Sequence, residues 1–197
     1  MSNPWEPDTL RGRLARATEL AADADLDALL ITPGADLRYL TGYDALPLER
    51  LTCLVLRTHG DPVLVVPGLE QPAAAASPAG RMALDIVPWD ELEDPYALVA
   101  SLVPQAHRVA VDDQMWAEKV LRLRAAMPGA EQALAGAVLR ELRMRKSPAE
   151  VQALREASAA IDRVHAQMGQ WLRAGRTERE VGADIAEAIR AEGHAAA

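Results

Sequence analysis

The adjacent carboxylates Asp112 and Asp113 are the most suggestive chemical grouping in the sequence. They follow an apolar run and precede a helical pattern, where an aspartate serves as a helix N-cap more readily than as a metal ligand. The four histidines, at positions 59, 107, 165 and 194, are scattered and form no H-x-x-x-H or H-E-x-x-H spacing. A metal centre needs several such ligands converging from separate elements, so these residues predict none.

The single cysteine and the glycines add no catalytic pattern. Cys53 lies in the apolar run LTCLVL, which predicts a small buried side chain rather than a nucleophile. The stretches TGYDALPL and PGLEQP lack the glycine spacing of a phosphate-binding loop, and no G-x-S-x-G motif occurs. Taken alone, the residue chemistry supports no enzymatic activity.

The amino-acid composition limits the classes of protein to which this chain can belong. The 197 residues are 50% hydrophobic and carry a formal net charge of −8, enough material for one domain or somewhat more. The acidic balance argues against nucleic acid and anionic membranes as partners. The basic run LRELRMRK (139–146) is interrupted by Glu141 and predicts a solvated helix face. With no signal-peptide pattern and no membrane-length apolar run, we expect a soluble cytoplasmic protein.

Elements that could position functional residues alternate between helix and strand over residues 1–135. Helical spacing relates Leu10, Leu14, Ala17 and Leu20, with Asp8 as the expected N-cap. The runs DALLIT, MALDIVPW and HRVAVDD predict strands, and RLTCLVLRTHGDPVLVVP predicts a β-hairpin. Strands interleaved with helices and one hairpin predict an α/β domain with a mixed sheet.

From residue 136 to 197 the pattern is helical. Ser147 with Glu150 and Thr177 with Glu180 form two S/T-x-x-E capping boxes. The first is expected to begin one long helix, whose apolar stripe comprises Val151, Leu154, Ile161, Val164, Met168 and Trp171. The second begins a helix with an apolar face at Val181, Ile185 and Ile189. We therefore predict a second, helical domain.

Three stretches together resemble the creatinase, aminopeptidase P and prolidase family: LLITPGADLRYLTGY, RVAVDD followed by WAEKVLRLRAAMPGA, and VLRELRMRKSPAEVQALREASAAID with the later GRTEREVGADI. The resemblance implies a creatinase-type N-terminal α/β domain over residues 1–135. Residues 136–197 would then be the first two helices of a pita-bread catalytic domain, left incomplete. Asp36 stands where the family often has Asn, and we expect it to cap the short helix that follows.

The resemblance also implies an activity, hydrolysis of the peptide bond preceding proline, by two divalent metal ions (Mn, Co or Zn). In the family's order the five metal ligands, two Asp, one His and two Glu, come after residue 197. No catalytic or metal-binding residue is therefore assigned to this chain, which alone is expected to be inactive. A complete enzyme would take small peptides with proline at the second position.

Arg38, Tyr39 and Tyr43 are candidates for lining the substrate entrance, because in the family the small domain borders the metal site, often that of a neighbouring subunit. They follow a strand end, where α/β sheets place ligand-facing residues. The alternative, which residue chemistry favours, is that both tyrosines pack on the sheet and Arg38 pairs locally.

Two further hypotheses about the function of the chain remain open. It could be a stand-alone module that binds proteins or peptides, or an oligomerisation subunit of the same fold. In every case the apolar stripe of the helical part predicts self-association, because large apolar side chains left in water form an interaction patch.

Overall fold

Residues 5–195 are described by the computed structural model and divide by their internal contacts into two units, 5–145 and 146–195. The first unit contains a sheet, whereas the second is built from helices. In the described part of the chain, no helix has both the length and the apolar character needed to cross a membrane.

The first unit alternates helices and strands along its length. Its helices are α1 (Pro7–Asp23), α2 (Ala35–Thr41), α3 (Gln71–Ala76), α4 (Pro78–Arg81), α5 (Pro95–Leu102), α6 (Ala117–Ala126) and α7 (Gly136–Met144). Its strands are β1 (Ala28–Ile31), β2 (Cys53–Arg57), β3 (Val63–Pro67), β4 (Asp85–Trp89), β5 (Arg108–Val111) and β6 (Glu131–Leu134).

The six strands form one mixed sheet in the order β4-β3-β2-β1-β5-β6. Strand β1 pairs antiparallel with β2 and parallel with β5, so that Leu30 lies opposite both Val55 and Val111. Strands β2 and β3 form the antiparallel hairpin that the sequence predicts, and β4 and β6 each add parallel to an edge. The prediction of an α/β domain with a mixed sheet is confirmed.

Both faces of β1 are buried, which explains its uninterrupted apolar sequence. Leu29 and Ile31 belong to a core shared with α1, α2 and α7, whereas Ala28 and Leu30 belong to a second core shared with α5 and α6. The first unit is therefore a three-layer arrangement with helices on both faces of the sheet.

Two predicted helix caps are wrong. Helix α1 begins at Pro7 after Glu6, and Asp8 lies inside its first turn. Proline fits the first helical position because its missing N–H has no helical partner there, and it sets the start one residue before Asp8. Helix α2 begins after Gly34, with Asp36 in its first turn rather than at its cap.

The first unit continues past the predicted boundary at residue 135. Strand β6 was not predicted, because Glu131–Leu134 is a partly exposed edge strand without an apolar run. Helix α7 follows it and packs against α1, with Val138 and Leu139 in the first core. This burial keeps residues up to Arg145 in the first unit.

The second unit consists of α8 (Pro148–His165), α9 (Met168–Trp171) and α10 (Glu178–Ala191). Both predicted capping boxes are present at the starts of α8 and α10. The single long helix predicted from Ser147 to Trp171 is wrong, because the chain turns after His165. There Gln167 donates to the carbonyl of Val164 three residues back, which ends the α-helical ladder.

The carboxyl ends of β1 and β5 are joined by a buried carboxylate. Oδ2 of Asp112 accepts hydrogen bonds from Oγ1 of Thr32 at 2.6 Å and from its backbone nitrogen at 2.8 Å. Asp112 is 7% exposed, and burial raises the pKa of its carboxyl above the ordinary value of 3.8, against the hydrogen bonds from Thr32.

We expect the contribution of Asp112 to stability to depend on pH. Because its pKa is raised on folding, the folded state binds the proton more tightly than the unfolded state. The resulting stabilisation is full below the unfolded pKa, about 3.8, and is lost as pH rises through the folded pKa. The free energy of unfolding of the native protein minus that of Asp112→Asn, measured with urea, should therefore be larger at acidic pH than at neutral pH. A difference that does not vary with pH would contradict this.

Candidate functional site at the α2 edge

The segment after β1 is shaped by two glycines and a proline. Pro33 and Gly34 end the strand, and Gly42 ends α2 in the left-handed conformation with φ of 70°. A Cβ at Gly42 would lie 2.5 Å from Cβ of Pro78, so no larger residue fits there without movement. Leu37 and Leu40 are buried in the first core, which turns Arg38 and Tyr39 outward.

Tyr39 contacts two arginines from other helices. The guanidinium carbon of Arg13, on α1, is 4.1 Å from the centre of the Tyr39 ring, and that of Arg143, on α7, is 5.6 Å from it. Arg13 is only 8% exposed, and its Nη1 donates to the backbone carbonyl of Tyr39 at 3.0 Å. These contacts fix the ring and the backbone of α2 together.

Asp36 and Arg143 form an ion pair between α2 and α7. This pair replaces the helix-capping role expected of Asp36, because the carboxylate is turned toward the neighbouring helix instead of the first amides of its own. We name the surface formed by Arg38, Tyr39, Arg13, Asp36 and Arg143 the α2 edge.

Arg38 is the outermost cation of the α2 edge. Its Nη1 is 3.3 Å from Oδ2 of Asp44, and its guanidinium carbon is 5.5 Å from the centre of the Trp5 ring. The Arg38 side chain remains 52% exposed despite both contacts. An exposed ion pair of this kind is weak, so Arg38 can exchange Asp44 for another carboxylate at little cost.

Tyr43 lies apart from this surface. It is 7% exposed within the first core, and burial, assisted by the charge of Glu70, raises the pKa of its phenol. Of the three candidate entrance residues, the fold therefore brings Arg38 and Tyr39 together at the surface and places Tyr43 in the interior.

The two adjacent aspartates do not form a shared site, and neither caps α6, whose N-cap is Trp116. Asp112 is held by Thr32 and Gln114, whereas Asp113 accepts a 2.8 Å hydrogen bond from the nitrogen of Gly136, the first residue of α7. The expectation of a local cap is wrong because Asp113 binds the start of a helix that is distant in sequence.

The described residues do not fit the pair of metal ions that the family resemblance implies. Among residues 5–195 there is no group of three or more His, Cys, Asp or Glu side chains that could hold a metal ion. Cys53 is buried as predicted, and burial strongly raises the pKa of its thiol, which disfavours the thiolate that binds metals.

Sequence patterns alone missed Trp5, Arg13 and Arg143. Their contacts with α2 join residues far apart in the chain, and Arg13 occurs in an amphipathic helix where arginine normally faces solvent. One sequence signal could have indicated that Arg13 is buried. It lies on the same helix face as Leu10, Leu14 and Ala17, all of which are buried.

The six-stranded mixed sheet, with helices packed on both faces, defines an α/β domain. The chain belongs to the creatinase/prolidase N-terminal domain family, whose model matches residues 13–145. This confirms the family and the fold that the sequence resemblance predicts.

Relatives named as dipeptidases are similar over nearly the whole chain. The chain is 47% identical over 194 residues to a probable dipeptidase PepE of Mycobacterium tuberculosis, covering 98% of this chain and 52% of the relative. The crystal structure of dipeptidase PepE from Mycobacterium ulcerans superposes with a TM-score of 0.89 at 47% identity, over 96% of this chain and 51% of that one. A dipeptidase from Pyrococcus horikoshii gives a TM-score of 0.79 at 27% identity, over 91% and 49%.

The chain spans about half the length of these relatives. The matched half includes the α2 edge, all of which lies within residues 13–145.

We predict that Arg13 stabilises the α2 edge. Replacing it by Met keeps much of the aliphatic stem but removes a buried, charge-assisted hydrogen bond, so Arg13→Met should lower the free energy of unfolding by about 1.5–3 kcal/mol. Urea denaturation measures the change. Arg16→Met is the matched control, because Arg16 lies on the same helix in an exposed pair with Glu19 and should contribute little. Equal effects of the two substitutions would contradict the assignment.

Proposed function

We propose that residues 1–197 form the non-catalytic N-terminal part of a prolidase-type metallopeptidase, an enzyme that hydrolyses peptide bonds preceding proline. The observation that carries the proposal is the 47% identity to a probable dipeptidase across 98% of this chain and about half of the relative. The other half of such an enzyme would supply catalysis. We expect the protein to act in the cytoplasm.

The metal ions of such an enzyme, Mn, Co or Zn in pairs, would be held by residues outside this chain. They would supply a bound hydroxide and polarise the peptide carbonyl. The contribution proposed for this chain is to bind and orient peptide at the entrance to that site, which can lie in a neighbouring subunit.

Arg38 is the residue proposed to contact substrate. Its guanidinium matches a peptide carboxylate in geometry, and its present partner Asp44 is an exposed carboxylate that a ligand can replace. Tyr39 would support it as a rigid aromatic neighbour, since Arg13 and Arg143 both contact its ring. Tyr43 is buried, so its contribution to the substrate entrance would come from packing beneath the surface and not from contact with the peptide.

The second unit exposes apolar side chains, which supports the proposal that another polypeptide packs against it. Ile161 on α8 is 39% exposed, and Leu172, after α9, is 61% exposed. An open groove of about 400 Å³ runs along α10, with an apolar floor that includes Met168, Val181 and Ile185. Apolar surface of this kind is stabilised when another polypeptide covers it.

Reconstitution tests the proposal. The chain is mixed with the separately produced part of the M. tuberculosis relative that it does not cover, in the presence of Mn²⁺, and hydrolysis of Xaa-Pro dipeptides is followed. We expect activity from the mixture and none from this chain alone.

In the same assay, Arg38→Ala should raise KM about tenfold with kcat nearly unchanged, the result expected when a binding interaction common to ground and transition states is lost. Arg16→Ala is the matched control, since Arg16 is another exposed, locally paired arginine. A stable complex that hydrolyses no Xaa-Pro dipeptide would refute the activity, and an unchanged KM would refute the role of Arg38.

The chain alone is expected to self-associate through the second unit. Sedimentation velocity should show a sedimentation coefficient that rises with concentration, and the double substitution Ile161→Ser with Leu172→Ser should reduce that rise. Leu121→Ser is the control, because Leu121 is an equally exposed leucine (58%) in the first unit. A monodisperse monomer at high concentration would contradict the expectation.

The apolar groove along α10 also favours a second candidate function, a protein- or peptide-binding module or an oligomerisation subunit. Capture of an apolar peptide by the intact chain, combined with failure of the reconstitution above, would favour this alternative.

A further inference from the structure

The segment 44–50, which we name the strap, is the middle of the connection between α2 and β2 and contains no helix or strand. Its apolar side chains do not hold it in place, because Leu46 is 71% exposed and Leu48 is 41% exposed. Only Ala45 packs partly against the first core. A loop of this kind, with little burial of its own, needs polar contacts to remain ordered.

The central polar contact of the strap is Lys119 on α6. Its Nζ donates to the carbonyl of Leu48 at 2.6 Å and also lies 3.4 Å from the carbonyl of Arg50. The side chain is 2% exposed, and its ammonium lies 4.9 Å from the centre of the Trp116 ring. A lysine that is buried and donates to two carbonyls of one loop fixes that loop in position.

The other contacts of the strap are weaker. Asp44 pairs with Arg38 at one end, and Arg50 pairs with Glu91 at 3.1 Å at the other, both in exposed positions. Exposed pairs contribute little to stability. The order of the strap therefore depends mainly on Lys119.

The surroundings of Lys119 make this contact difficult to replace. Its neighbours are Cys53 on β2, Asp112 after β5, Glu118 on α6 and Glu49 on the strap, and burial is the main cause that lowers its pKa. None of these groups is hydrogen bonded to the ammonium, whose acceptors are the two strap carbonyls. If the strap moved away, a buried cation would lose its acceptors, so strap opening and exposure of Lys119 must occur together.

We propose that Lys119 is a latch that holds the strap closed and thereby keeps Asp44 beside Arg38. With the strap closed, the Leu48 carbonyl is held by Lys119, and the side chains of Leu46 and Leu48 are exposed. With the strap open, Arg38 loses its carboxylate partner Asp44. The latch is a property of this chain and does not depend on the proposed peptidase function.

The intact chain provides a direct test, because it contains only two lysines, Lys119 and the exposed Lys146. Acetylation by a lysine-reactive ester is followed by peptide mass spectrometry. We expect Lys119 to react at least about tenfold more slowly than Lys146, as for a buried amine with charge-assisted hydrogen bonds. The double substitution Asp44→Asn with Arg50→Gln should leave the ratio of the two labelling rates nearly unchanged, because the exposed pairs that it removes contribute little. Equal labelling of both lysines in the folded native chain would overturn the latch.

A second measurement follows the strap itself. In Lys119→Met, tryptic cleavage after Arg50, the last residue of the strap, should accelerate at least about tenfold, while cleavage elsewhere in the chain stays unchanged. Arg124→Met is the matched control, since Arg124 is an exposed cation on the same helix. Unchanged cleavage after Arg50 in a folded Lys119→Met variant would overturn the proposal, and the labelling of the native chain decides the question if that variant does not fold.

Discussion

The burial of β1 on both faces is the constraint on which the first unit depends. Its four apolar residues pair with an antiparallel strand on one side and a parallel strand on the other, and each face carries its own helical layer. No polar side chain fits within this strand without an unpaired buried group. The polar contacts next to this strand begin where the chain leaves its carboxyl end, where Thr32 meets Asp112 and α2 begins.

Two buried cations extend this order from the sheet to the surface. Arg13 donates to the backbone of α2, which Leu37 and Leu40 also anchor in the first core, and Lys119 donates to the backbone of the strap, which has few apolar contacts of its own. A rigid core with a surface held by such contacts suits a domain that presents residues to a partner site.

Much of the fold could be predicted from local sequence signals. The hairpin, the burial of Cys53 and both capping boxes depend on neighbouring residues, and all are present. Strand β6 could not be predicted, because its pairing with β5 compensates for a sequence without strand character. The α2 edge was only partly predictable, since the arginines that hold Tyr39 come from α1 and α7, whereas the burial of Tyr43 depends on its packing in the first core.

The proposal that this chain is one half of a peptidase can be tested on the native protein. The most direct measurement is the mass of the polypeptide, and of any stable partner, isolated from its source cells with an antibody against residues 5–145. We expect either a single polypeptide of about twice 21.2 kDa or a tightly bound partner that carries metal ligands, because this chain covers about half of its relatives. A polypeptide of 21.2 kDa isolated without such a partner would contradict the claim.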